Sequence, residues 1–224
     1  MITGWLALAL ALMLADWMAV WRGREQIVRI TKPGVMLALM AWFTSTAGLR
    51  GNAPWFLAGL AASLIGDIFL LLPRSFFTFG LGSFLAALWA YTIGLNIPPT
   101  SVSTALIAMG ILAAAVCMAL LVLILPHVKR SAAHRKLELP VGVYAAAMCL
   151  MAFSGLHTLW RPDWPDAAAV LAANGGVLFF CSDALLAYDR FIQPFPHARL
   201  WVRITYHLGQ LGLAAGALLA LMSV

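Results

Sequence analysis

Eight stretches of this chain are long and apolar enough to cross a bilayer, and no other feature restricts its fold as tightly. They lie near residues 3–21, 34–49, 55–73, 76–96, 102–125, 138–158, 167–188 and 201–222. A helix needs about 20 apolar residues to span the hydrocarbon, so the short second run is expected to be tilted or partly covered by protein. Composition points the same way. Of 224 residues, 63% are hydrophobic and 10% charged, against about 45–50% and about 25% in soluble domains. No aqueous fold hides that much apolar surface, so the solvent is lipid. The intervening segments are short and Pro/Gly-rich or charged, which leaves no room for a soluble domain between spans. The expected architecture is all-α: one transmembrane domain over residues 1–224, a compact bundle of eight helices.

Charge sets an orientation. The net charge of +6 reports topology in such a chain, because cytoplasmic loops collect Lys and Arg. The sequence has no basic patch interleaved with aromatics, so nucleic acid is not an expected partner. The segments after runs one, three, five and seven hold Arg22, Arg24, Arg29, Lys32, Arg74, Lys129, Arg130, Arg135, Lys136, Arg190, Arg199 and Arg203. The other side holds only Arg50 and Arg161. A miscounted helix would scramble this split, so both termini are expected on the non-cytoplasmic side. Trp5, Trp17, Trp21, Trp55, Trp160, Trp164 and Trp201 fall near span ends, as an interfacial aromatic belt does. The first run has no basic residue before it and does not read as a cleavable signal. Cys117, Cys149 and Cys181 lie in apolar runs without a CxxC and read as small core residues. A faint internal echo aligns Gly59, Asp67, Leu70 and Arg74 with Gly175, Asp183, Leu186 and Arg190 at one constant offset. A parallel four-plus-four duplication would produce it.

Two acids stand out. A charged side chain inside a span costs about 2.5–3.5 kcal/mol on insertion scales and by default suggests function. Asp67 lies six residues before Pro73, and Asp183 seven before Arg190. Each therefore sits about 9–10 Å from its helix end at 1.5 Å per residue. Two acids on different helices reach one depth. The bland alternative is that each only pairs with a neighbour such as Lys32 to hold helices together, a task that Ser, Thr or Asn performs more cheaply. Close together, the two would share a proton and supply an acid and a base.

Other polar groups approach the same level. Ser63 is one turn deeper than Asp67 and Ser182 adjoins Asp183. Lys32 opens run two with Pro33 in the first helical turn, where proline is tolerated. Tyr144 enters from run six, and Tyr206, His207 and Gln210 from the first turns of run eight. Each alone is more often an interhelical hydrogen bond than a ligand, but their shared depth predicts a polar pocket open to the cytoplasmic leaflet. Asp16 lies nearer the interface and is expected to be solvated. The five histidines show no i,i+4 pairing, so no metal is expected. GxSxG, Walker and dinucleotide motifs are missing, and no cofactor is expected.

Taken in order, several blocks resemble a known family. Thr31-Lys32-Pro33 opens run two, and Gly59 through Asp67 to Pro73 is followed by Phe76-Phe77-x-x-Gly80-Leu81-x-x-Phe84-Leu85 and Tyr91. Then come Leu139-Pro140 with Tyr144, Phe179-x-x-Ser182-Asp183-Ala-Leu-Leu, Arg190-Phe191 and Tyr206-x-x-x-Gln210. In order and spacing, residues 31 to 215 resemble the YhhN family of eight-helix membrane proteins, which includes the lysoplasmalogenases. The resemblance implies hydrolysis of the vinyl-ether bond of a lysophospholipid, releasing a fatty aldehyde and a glycerophospho-alcohol. Asp67 and Asp183 match the family's two acidic positions and would be catalytic. Lys32, Ser63, Tyr91, Tyr144, Ser182, Arg190, Tyr206, His207 and Gln210 would bind substrate, with Lys32 or Arg190 on the phosphate and the chain between helices. The chain departs from the pattern at Leu88, where the family carries a histidine three residues before the tyrosine of run four.

Rival readings remain. An intramembrane aspartyl protease needs Gly-x-Gly-Asp, but Leu64 stands where its first glycine belongs. A proton-coupled transporter would cycle a proton on one carboxylate, yet the chain shows no clearly broken central helix. A structural or regulatory membrane protein is the third. Expected partners are the lysophospholipid and membrane lipid, the expected location is a bacterial inner (cell) membrane, and the sequence sets no oligomeric state.

Overall fold

Hydrocarbon offers a backbone no hydrogen-bond partner, so each spanning segment has to close its own bonds as a helix. The computed structural model, which describes residues 3–101, 104–130 and 135–223, obeys this throughout. Its helices are α1 (Thr3–Trp21), α2 (Glu25–Ala47), α3 (Ala53–Leu71), α4 (Phe77–Leu95), α5 (Thr104–Arg130), α6 (Glu138–His157), α7 (Asp166–Ala187) and α8 (Ala198–Met222). All eight are long and apolar enough to cross a membrane. A π turn, Tyr188–Ile192, continues α7. The expected start of run five at residue 102 and His134 lie outside the described residues, as do the side chains of Arg74 and Arg135.

One boundary differs clearly. α2 begins at Glu25 rather than 34, so Pro33 lies inside the helix and not in its first turn. The charged segment that reads as a loop is amphipathic. Val28, Thr31, Lys32 and Val35 are buried, at i, i+3, i+4 and i+7, while Arg24 and Arg29 stay exposed. Glu25 pairs both carboxylate oxygens with Arg199 at the start of α8, which anchors the extra turns.

Within each half of the chain, α1 to α4 and α5 to α8, consecutive helices pair, most extensively α7 with α8 and α3 with α4. Across the halves, α4 meets α6 and α8 meets α2. The α7–α8 seam is a backbone-to-backbone contact. A Cβ on Gly209 would fall 2.7 Å from the Phe179 nitrogen, and one on Gly216 2.7 Å from the Ala168 carbonyl. Small residues let membrane helices approach this closely, and the seam fixes Ser182 and Asp183 against the first turns of α8. By contrast α5 stands outermost, with Ile111, Leu112 and Val122 about two-thirds exposed.

At the end opposite the site, Arg161 is buried. It donates to the Leu95 and Pro98 carbonyls at 2.9 and 2.7 Å and to Asp163 at 2.6 Å. Burial pushes the Asp163 carboxyl up, but the Arg161 guanidinium outweighs this and holds it below its ordinary value. The aromatic belt is thinner than its sequence positions imply. Trp5, Trp21, Trp55, Trp160 and Trp201 are exposed, but Trp164 is buried in the core and Trp17 points inward.

Candidate active site

The cavity that holds both acids lies at the end of the bundle carrying the α1–α2, α3–α4, α5–α6 and α7–α8 connections. It measures about 90 Å³, and its wall includes Lys32, Asp67, Tyr144, Asp183, Arg203 and Tyr206. Each of these rides on a different helix except the pair on α8, so the site exists only once the bundle closes. Phe77, Leu81 and Phe84 of α4 supply an apolar side.

The two acids have unlike neighbours. Asp67 is buried, with Lys32 Nζ 2.8 Å from Oδ1 and the Tyr206 hydroxyl donating to Oδ2 at 2.8 Å. The ion pair that a merely structural role would require is therefore present, but on the cavity wall. Asp183 accepts from the Tyr144 hydroxyl at 2.6 Å on Oδ2. Among the described residues no Lys or Arg forms an ion pair with it. Each carboxyl thus has its own hydrogen-bond partner.

Sequence reasoning missed a second buried pair. Asp16 is fully buried rather than solvated: Arg203 donates to its Oδ2 at 2.8 Å and Thr31 to its Oδ1 at 2.8 Å. Arg203, counted with the loop charges, belongs to α8 and lines the cavity. Spacing could have found it. Arg203, Tyr206, His207 and Gln210 fall at i, i+3, i+4 and i+7, one face of a helix.

Of the expected substrate-binding residues, Lys32, Tyr144, Ser182, Arg190 and Tyr206 reach the cavity wall. Ser182 donates to the Val202 carbonyl at 3.0 Å, and the Arg190 guanidinium lies 3.5 Å from the Phe77 ring centre. Four are displaced into a layer behind the wall. Tyr91 donates to Gln210 Oε1 at 2.5 Å, and Gln210 Nε2 donates to Ser63 at 2.9 Å. His207 accepts from the Trp17 indole at 3.0 Å on Nδ1. These four are buried and paired with one another or with the scaffold, because polar groups facing the bundle interior without water must find partners there. Leu88, the departure from the family pattern, is fully buried in the apolar core and off the cavity wall.

The YhhN family model matches residues 27–217. The chain belongs to the YhhN family. Among relatives, it is 30% identical over 186 residues to Lysoplasmalogenase TMEM86B of Homo sapiens, covering 83% of this chain and 72% of that protein. It is 32% identical over 174 residues to Lysoplasmalogenase TMEM86A of Homo sapiens, covering 74% and 66%. No solved structure matches it. The family match spans every helix that contributes to the cavity, so the YhhN assignment and the site concern the same part of the molecule.

Proposed function

We propose that this YhhN protein is a membrane-embedded lysoplasmalogenase, which hydrolyses the vinyl-ether bond of a lysoplasmalogen to a fatty aldehyde and a glycerophospho-alcohol. The observation that carries the reading is a single lipid-level cavity holding two carboxyls with unlike partners, in a chain whose relatives bear that name. The reaction needs two opposite services. A proton must be added to the second carbon of the alkenyl chain, which places an oxocarbenium charge on the first carbon and the ether oxygen. A water must then lose a proton as it attacks that first carbon. The resulting hemiacetal breaks its bond to the glycerol oxygen, which takes up a proton, and the aldehyde departs.

Asp183 is the better acid of the two. It faces no paired cation, and with Oδ2 occupied by Tyr144, Oδ1 is left to present the proton. Asp67, ionised against Lys32, stabilises the cation and accepts the proton of the attacking water. Two carboxyls flanking an oxocarbenium ion are also how glycosidases divide the work. The lipid phosphate is held at the basic end by Arg190 of the cavity wall. The basic excess at this end supports a cytoplasmic-facing cavity and termini on the other side. It survives the burial of Lys32 and Arg203, because ten of the expected basic residues still oppose Arg50 and Arg161. The membrane is the cell membrane. Purified protein in detergent is expected to release aldehyde from a lysoplasmalogen, and a wild type that releases none from any vinyl-ether lysolipid overturns the proposal.

A further inference from the structure

We infer that the hydrocarbon chain of the lipid substrate leaves the cavity between α4 and α6, past Leu81, and lies in an apolar groove on the outer side of these two helices. The inference rests on the proposed lysoplasmalogenase activity and assigns the part of the substrate that the carboxyl site cannot hold. Cavities that enclose a whole small ligand measure about 300–1,000 Å³. The one around Asp67 and Asp183 measures about 90 Å³. It has room for the vinyl ether and its nearest atoms, so a long chain has to continue elsewhere.

A hollow of about 300 Å³ lies next to it, lined by Thr78, Leu81, Gly82 and Leu85 of α4 with Leu139, Pro140 and Val143 of α6. Helix periodicity shows how the two spaces share their walls. On α4, Phe77, Leu81 and Phe84 line the cavity, at i, i+4 and i+7. Thr78, Leu81, Gly82 and Leu85 line the groove, at i, i+3, i+4 and i+7. Leu81 lies on the edge between these faces and lines both spaces. On α6, Val141 and Tyr144 line the cavity, while Leu139 and Val143, one turn apart, line the groove.

The groove opens outward to lipid, for Leu139 is 76% and Val143 44% exposed. A chain that starts in the bilayer can therefore reach the carboxyls without crossing water. A second apolar hollow, about 210 Å³ between α5, α6 and α7, is lined by Ala113, Ala152 and Phe180 among others. It shares no lining residue with the cavity, which is why the α4–α6 route is assigned.

Gly82 provides the test. A Cβ placed there meets nothing within 4 Å, so a side chain can be introduced at this point on the groove wall. Wild type, Gly82→Phe and Ala113→Phe are compared on butenyl and hexadecenyl lysophospholipids of one headgroup, with thermal unfolding measured alongside. Gly82→Phe is expected to lower kcat/KM for the hexadecenyl lipid by about tenfold or more, as when roughly two methylenes lose a buried site. Its butenyl activity should stay within about twofold of wild type, as should both activities of Ala113→Phe. Unchanged hexadecenyl activity in Gly82→Phe overturns the route, and so does an equal loss on both lipids. A selective loss in Ala113→Phe moves the chain to the α5 side. If the wild type cleaves neither lipid, the proposed activity itself falls and this inference with it.

Discussion

The two walls of the cavity differ in how they hold an acid. On the α2–α3–α8 wall, Asp67 sits against Lys32 and Tyr206, with Arg203 and its partner Asp16 close behind. On the α6–α7 wall, Asp183 meets the Tyr144 phenol and apolar neighbours such as Leu186 and Ala187. In sequence the two acids are near twins, matched in depth and in flanking residues. Their surroundings separate them, because a carboxyl beside an ammonium is held as an anion while one beside a phenol needs no charge to keep its hydrogen bond. One wall can therefore stabilise a cation while the other delivers a proton.

The strongest way to break this contrast is to neutralise each acid in turn. Asp67→Asn should reduce aldehyde release by about 10²–10⁴-fold, the range for losing a positioned acid or base. It should also destabilise the protein by about 3–5 kcal/mol, since Lys32 is left as an unpaired buried charge. Adding Lys32→Met should restore most of the unfolding midpoint but none of the activity. Asp183→Asn should lose activity to a similar degree with a midpoint near wild type, because the amide oxygen can still accept from Tyr144. Equal destabilisation by the two Asn variants would erase the distinction between the walls.

Asp16→Asn tests the support behind the charged wall. It should cost about 3–5 kcal/mol, since Arg203 is then left as an unpaired buried charge, and reduce activity less than either catalytic variant. Tyr144→Phe sharpens the neutral wall: about 1 kcal/mol is expected from one buried hydrogen bond, read as a several-fold fall in kcat with Asp183 still in place. Smallest of all, Lys129→Ala removes an ion pair with Glu138 whose members are 56% and 40% exposed. Its cost should fall between about 0 and 1 kcal/mol and vanish in salt. An effect as large as that of Asp16→Asn would mean that the basic end is more tightly built than its exposure implies.

Much of the site was legible because charge is costly in lipid. Asp67 and Asp183 announced themselves as acids in apolar runs, and Lys32, Tyr144 and Tyr206 followed from shared depth. The errors share one cause. Reading Glu25–Lys32 as a loop hid three buried α2 positions, and counting Arg203 with loop charges concealed the partner that allows Asp16 to be buried. Near a span end a charged residue can be solvated or paired inside, and linear sequence contains no information about which. Ser63, His207 and Gln210, read at the depth of the acids, lie behind the cavity wall, as does Tyr91, which came only from the family resemblance. Depth follows from 1.5 Å of rise per residue, whereas lateral position depends on which helix packs where.

By itself the sequence determined the number of spans, their alternation, the depth of two acids and membership of the YhhN family, for these follow from hydropathy, helix rise and ordered motifs. The tertiary structure alone decided that Lys32 closes on Asp67, that Arg203 closes on Asp16, and that Leu81 stands between the carboxyls and the lipid-facing groove. Those outcomes depend on contacts between helices, such as the glycine seam that draws α7 onto α8, and a helix's own periodicity carries no record of its neighbours.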